Sequence, residues 1–108
     1  MTKDDFFAFH QDFCARMVSV TKAKNADYTG AGTDPFANFS RVEVLGIAST
    51  EQGFLTRMTD KLCRIASFAA KGSLQVKDES VEDTLLDLAN YCALLAGYIK
   101  SKRGGGNA

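Results

Sequence analysis

The sequence predicts an all-α fold, a small helical bundle of three main helices plus one short helix. Apolar residues recur at spacings of three and four in the long segments, which is the helical period. Helix start and stop signals bracket those segments, and no segment shows the alternating pattern of a strand. A chain of 108 residues has room for one small domain with a modest core. We therefore expect a single helical domain over residues 1–103 and a flexible Gly-rich tail over 104–108.

The first helix is predicted to begin at Thr2 and to run to about Lys24. Asp5 stands three residues after Thr2, which is the spacing of a capping box. The apolar stripe of this helix is formed by Phe6, Phe9, Phe13, Met17, Val20 and Ala23.

Residues 25–39 interrupt the helical pattern with two glycines and the single proline of the chain. Such residues favour turns, so we predict a loop here, followed by a short helix from about Ser40 to Gly46. Phe36 and Phe39 are interpreted either as buried anchors of this loop or as ligand contacts.

The third helix is predicted to begin after Ser49, which forms a capping box with Gln52, and to stop at Lys71 and Gly72. Its predicted buried stripe is formed by Leu55, Met58, Leu62, Ile65 and Ala69.

The last helix is predicted to begin at Ser80 and to run to about Lys102, with Asp83 at the capping-box position. Over residues 85–99 it is apolar almost all the way round, and only Asp87 and Asn90 interrupt it. A helix without a polar face is normally buried, and a buried carboxylate must be paired, hydrogen-bonded, metal-bound or protonated.

Asp83, Asp87 and Asn90 share one narrow sector of this helix, so we predict that they line a functional site. In the alternative interpretation Asp83 caps the helix, Asp87 faces water and Asn90 has no special role. Acids near a helix N-terminus also stabilise the helix dipole.

The third helix carries a second polar sector, formed by Arg57, Asp60 and Arg64 with Lys61 alongside. A phosphate site would use such cations, with an acid holding magnesium. The alternative is a solvated face with intrahelical pairs such as Asp60 to Arg64.

The loop and its flanks combine an amine, amides, acids and aromatic rings, which could stack on a base and hydrogen-bond its edge. We predict that these residues bind a nucleotide together with Arg57, Lys61 and Arg64 of the third helix. The predicted loop contacts are Lys24, Asn25, Asp27, Tyr28, Asp34, Phe36 and Asn38.

Thirteen basic and thirteen acidic residues cancel, which argues against a general nucleic-acid binder or a membrane-surface binder. The three cysteines, Cys14, Cys63 and Cys92, lack zinc-ligand spacing and are predicted to be small core residues of a reduced, cytoplasmic protein. Neither a signal peptide nor a membrane span is predicted. Because small helical domains leave apolar faces that a second subunit can cover, we expect a homo-oligomer.

Four motifs, Lys24–Tyr28, Asp34–Phe39, Arg57–Lys61 and Val76–Tyr91, resemble the phage and prophage proteins called nucleotide modification associated domain type 1. The resemblance covers most of the chain. It implies a nucleotide-handling protein that acts in the cytoplasm of a host cell.

The chain is also distantly similar to all-α nucleoside triphosphate pyrophosphatases of the MazG-like kind, which hold magnesium with an ExxE and an ExxD motif. Asp87–Asn90 looks like the ExxD, and Asp60–Cys63 occupies the place of the ExxE. This similarity implies a magnesium-dependent pyrophosphohydrolase with Asp60, Asp83 and Asp87 as metal ligands and Asn90 at a fourth catalytic position.

Two other functions stay open. Since Asn90 and Cys63 stand where the pyrophosphatases carry acids, the chain could be a non-catalytic binder that sequesters or senses a nucleotide or a nucleotide second messenger of host defence. It could also be a structural interaction module, in which the polar residues form interhelical salt bridges.

Overall fold

The computed structural model describes residues 1–29, 32–73 and 80–104, except for the side chains of residues 28 and 29. Within these ranges the chain forms four helices and no strand: α1 (Lys3–Thr29), α2 (Ala37–Val44), α3 (Thr50–Lys71) and α4 (Val81–Lys102). The all-α prediction of three main helices and one short helix is confirmed. Beyond Gly104, the predicted tail lies outside the described residues.

The predicted starts of α1 and α3 are confirmed by their caps. Thr2 and Asp5 exchange backbone and side-chain hydrogen bonds of 3.0 and 3.1 Å at the start of α1, and Ser49 and Gln52 do the same for α3. α3 ends at Gly72, whose φ of 75° lies in the left-handed region that glycine adopts without strain.

α4 packs against both α1 and α3. α3 runs antiparallel to it, since Glu51 pairs with Lys102 at 3.0 Å and Lys61 pairs with Asp87. A hydrogen bond from its own backbone N–H and a second from Lys102 hold the pKa of Glu51 below its ordinary value.

The apolar core is small and centred on α2 and α3. Among the described residues it consists of Phe39, Phe54 and Leu86. The rings of Phe39 and Phe54 stack with centroids 4.1 Å apart, and the ring of Tyr91 meets Phe39 edge-on at 6.0 Å. Phe39 is therefore a buried anchor, and it fixes α2 against α3.

The limits of the predicted loop were wrong at both ends. α1 continues to Thr29 instead of ending at about Lys24, and α2 begins at Ala37 instead of Ser40. α2 begins early because the Asp34 carboxylate accepts a hydrogen bond from the Phe36 N–H at 2.9 Å and Phe39 is buried. Lys24 and its neighbours are consequently held on a helix.

The predicted buried stripe of α3 was also wrong in part. Leu55 and Leu62 are more than half exposed, whereas Phe54 is fully buried and Lys61 faces α4. The stack of Phe54 on Phe39 and the attraction of Lys61 to a carboxylate of α4 rotate the helix into this orientation.

The cysteine prediction was wrong as well, because Cys14, Cys63 and Cys92 are all exposed. In the described part of the chain, no helix combines the length and apolarity that crossing a membrane requires.

Candidate functional site

A cleft of about 320 Å³ opens where α1, α2, α3 and α4 approach one another, beside the loop before α2. It is the candidate binding site, because it gathers charged, amide and aromatic side chains from every helix. Its walls are formed by Thr21, Lys24, Asn25, Pro35, Asn38, Phe39, Arg57, Asp87, Asn90, Tyr91 and Leu94.

Asp87 is the carboxylate of this cleft, and it is paired on both sides. Its two oxygens lie 2.9 Å from the Lys24 amine of α1 and 3.2 Å from the Lys61 amine of α3. The side chains of Asp87 and Lys61 are 16% and 12% exposed, so these charges are largely removed from water. The predicted need of Asp87 for a partner is met by cations from two other helices.

Arg57 is the second cation in the wall of the cleft, after Lys24. Its guanidinium carbon lies 4.6 Å from the centroid of the Phe39 ring, and its Nη2 donates to the Asn38 carbonyl at 3.4 Å. Cation–π contact and hydrogen bonding together limit the motion of this side chain. Because Phe54 stacks on the Phe39 ring as well, both faces of that ring are covered and neither can receive a base.

Asn90 is a largely buried amide in the wall of the cleft. It is 8% exposed, and within the described part of the chain no group hydrogen-bonds its side-chain amide. Among the described residues, the fully buried side-chain polar atoms without a hydrogen bond are Thr50 Oγ1 and Glu51 Oε1, so the Asn90 amide keeps some access to the cleft. The side-chain amide of Asn90 lies in the cleft wall, and its N–H donor and its carbonyl acceptor can both bind a ligand.

Two predicted ligand contacts hold the loop in place. The Asn25 amide donates to the Pro35 carbonyl at 2.8 Å, and the Asp34 carboxylate accepts from Phe36 N–H. Asn25 also reaches the cleft wall, whereas Asp34 does not line it. Asn38 lines the cleft, and its side-chain oxygen accepts from Arg41 at 3.4 Å.

Each of the three predicted metal ligands is held in a separate ion pair. Asp60 pairs with Arg64 within α3 at 3.5 Å, Asp83 pairs with Arg16 of α1 at 3.4 Å, and Asp87 has its two lysines. No group of three His, Cys, Asp or Glu side chains in the described residues is arranged to hold a metal ion.

Five other predicted site residues are not part of the cleft lining: Asp27, Asp60, Lys61, Arg64 and Asp83. The Tyr28 side chain lies outside the described residues. Phe36 meets Tyr98 edge-on at 5.6 Å and packs on Gly97, so it anchors the loop beside α4.

Sequence reasoning missed several wall residues, chiefly Thr21, Pro35, Tyr91 and Leu94. Thr21 stands three residues before Lys24, and Leu94 stands four residues after Asn90. Helical neighbours at these spacings share a face, so extending each polar position by one turn would have found both.

Comparison with known proteins gives one family. The model of the family described as nucleotide modification associated domain 1 matches residues 24–96, which begin at Lys24 and include Arg57, Asp87 and Asn90. No curated protein and no solved structure matches the chain significantly. Because the family model spans more than half of the chain and the whole polar wall from Lys24 to Asn90, this protein belongs to the nucleotide modification associated domain 1 family.

Proposed function

We propose that the cleft binds a nucleotide, with the phosphate toward Lys24 and Arg57 and an edge of the base on the Asn90 amide. The observation that carries this proposal is the buried Asn90 amide, which has no partner among the described residues. A base edge with one acceptor and one donor could accept a hydrogen bond from the amide N–H and donate one to the amide oxygen.

The charge of the site favours an anionic ligand. Among the described lining residues, two cations, Lys24 and Arg57, stand against one carboxylate, Asp87. That carboxylate is also paired with Lys61, which does not line the cleft. Lys24 is partly exposed, so its amine can turn from Asp87 toward a phosphate without further burial. Arg57 is already held in position, which lowers the entropy lost on binding.

The size and the family support a small nucleotide. A volume of about 320 Å³ is at the lower end of the range for small-molecule sites, roughly 300–1,000 Å³. The description of the family names nucleotide modification, which favours a nucleotide over other small anions.

Hydrolysis and magnesium stay predictions. The MazG-like similarity implies them, but Asp60 and Asp83 lie in ion pairs outside the cleft wall. Binding requires no chemistry from these residues, so it is the function that the geometry supports best.

A thermal-shift screen tests the proposal. The panel is the mono-, di- and triphosphates of each common nucleoside, with and without magnesium. At least one nucleotide is expected to stabilise the protein by about 2.7 kcal/mol at a hundredfold excess over its dissociation constant. For a domain of this size that raises Tm by about 10 °C or more.

Two further measurements sharpen the screen. The Asp60→Ala variant should respond like the wild type, because Asp60 is mostly exposed and does not line the cleft. The stabilising nucleotide should be recovered chemically unchanged after incubation. Release of pyrophosphate with magnesium would instead establish the MazG-like hydrolase, and no shift with any nucleotide would reject nucleotide binding.

A further inference from the structure

A second cavity, of about 490 Å³, adjoins the cleft between α1 and α4. We call it the apolar groove, because most of the side chains in its walls are apolar. The residues that line the groove but not the cleft include Cys14, Met17, Val18, Phe36, Ala93 and Gly97. Small-molecule sites usually have mostly apolar walls with a few polar groups that orient the ligand.

The cleft and the groove meet at four residues that line both of them. These are Thr21 of α1, Pro35 of the loop before α2, and Asn90 and Leu94 of α4. The Asn90 amide, to which the proposed function assigns an edge of the base, therefore stands at the boundary between the two cavities. A group attached to that edge of the base can extend directly into the groove.

The lining residues change from polar to apolar along both helices. On α4, Asp87 lines the cleft, Asn90 lines both cavities and Gly97, seven residues later, lines the groove. On α1, Lys24 lines the cleft and Val18, six residues earlier, lines the groove. One end of the combined site therefore suits a phosphate, and the other end suits an apolar group.

The groove offers apolar surface that a ligand can cover. Val18 is 54% exposed, and Ala93 is exposed as well. The Phe36 ring lies over Gly97, where an added Cβ would be 3.5 Å from its Cζ. Removing apolar surface from water stabilises a complex, and the Phe36 ring gives an apolar substituent an aromatic contact.

We propose that the ligand is an adenine or cytosine nucleotide that carries an apolar substituent on its exocyclic amine, and that this substituent occupies the apolar groove. An amine with one substituent keeps one N–H, which can donate to the Asn90 amide oxygen, while the adjacent ring nitrogen accepts from the amide N–H. A base edge with a carbonyl oxygen in this place cannot carry the substituent and keep its hydrogen bonds. The proposal rests on nucleotide binding in the cleft.

Isothermal titration calorimetry with matched pairs of nucleotides tests the proposal. The pairs are AMP with N⁶-benzyl-AMP and CMP with N⁴-benzyl-CMP. In at least one pair the benzylated nucleotide is expected to have a dissociation constant at least about tenfold lower, because the benzyl ring buries apolar surface in the groove. The matching benzylated nucleoside, which lacks the phosphate, should bind at least about tenfold more weakly, because it makes no charge-assisted hydrogen bonds to the cations of the cleft.

Ala93→Phe fills the groove, and Ala96→Phe is its matched control. Ala93 is exposed and lines only the groove, whereas Ala96 is exposed on the same helix and lines neither cavity. Because the new ring of Ala93→Phe takes the space of the benzyl group, the ratio of the two dissociation constants should fall to about one. Ala96→Phe should keep the wild-type ratio. Far-UV circular dichroism shows whether both variants retain their helices.

The outcomes separate this proposal from the proposed function. Nucleotide binding without a gain from the benzyl group, or a gain that Ala93→Phe leaves unchanged, would overturn this proposal alone. A failure of both pairs while another nucleotide binds would do the same, and a failure of every nucleotide would overturn both. Sedimentation velocity covers the remaining occupant. A wild-type dimer that Ala93→Phe dissociates would show that a second copy covers the groove, and would also overturn the proposal.

Discussion

Replacing Asp87 with alanine is expected to lower the free energy of unfolding by about 3 kcal/mol, which corresponds to a fall in Tm of about 12 °C or more. The cause is the Lys61 amine, whose side chain is 12% exposed and lies 3.2 Å from the Asp87 carboxylate. Without that carboxylate an ammonium group stays largely buried near Lys24, which carries the same charge. Urea denaturation monitored by circular dichroism measures the change.

Asp60→Ala is the matched control for this prediction. Asp60 also pairs with a cation, but the pair with Arg64 is exposed and lies within one helix. Its loss is expected to cost only about 0.3–0.5 kcal/mol. Equal losses of stability in the two variants would contradict the conclusion that the ion pairs of Asp87 stabilise the fold more than the exposed pair of Asp60. Adding Lys61→Met to Asp87→Ala should restore much of the stability, since the largely buried ammonium group is then removed as well.

Asn90→Leu is expected to raise the stability of the free protein by about 1 kcal/mol while removing its response to nucleotide. The substitution takes an unpaired amide out of a position that is 8% exposed and leaves an apolar side chain of similar size. Loss of the hydrogen bonds to the base should weaken nucleotide binding by roughly ten- to a hundredfold. Thermal unfolding with and without nucleotide measures both effects.

Asn90→Asp is expected to change the stability of the free protein in the opposite direction. A carboxylate there would be buried one helical turn after Asp87, so both desolvation and repulsion would lower stability. A leucine variant that is less stable than the wild type, or that still responds fully to nucleotide, would show that the Asn90 amide has a structural partner.

The sequence predicted the features of the fold that depend on neighbouring residues. Ser49 with Gln52, and Thr2 with Asp5, are three residues apart, so their hydrogen bonds follow from the helix itself. Asp87 was recognisable as a residue that needs a partner, because a carboxylate in an otherwise apolar helix must be paired.

The identity of that partner could not be predicted. Lys24 is separated from Asp87 by 63 residues, and their contact exists only after α1 has packed on α4. The orientation of α3 about its own axis could not be predicted for a similar reason. Periodicity shows which residues share a face, but the stacking of Phe54 on Phe39 decides which face meets the core.

The most direct test of nucleotide binding in the cleft is the side-chain amide signal of Asn90 in a ¹⁵N-labelled protein. Its assignment follows from the signal that disappears in Asn90→Leu. On titration with the nucleotide that gives the largest thermal shift, this signal should move and approach saturation with the binding curve, because the amide gains hydrogen bonds to the ligand. Saturable binding that leaves the Asn90 signal in place would contradict the account.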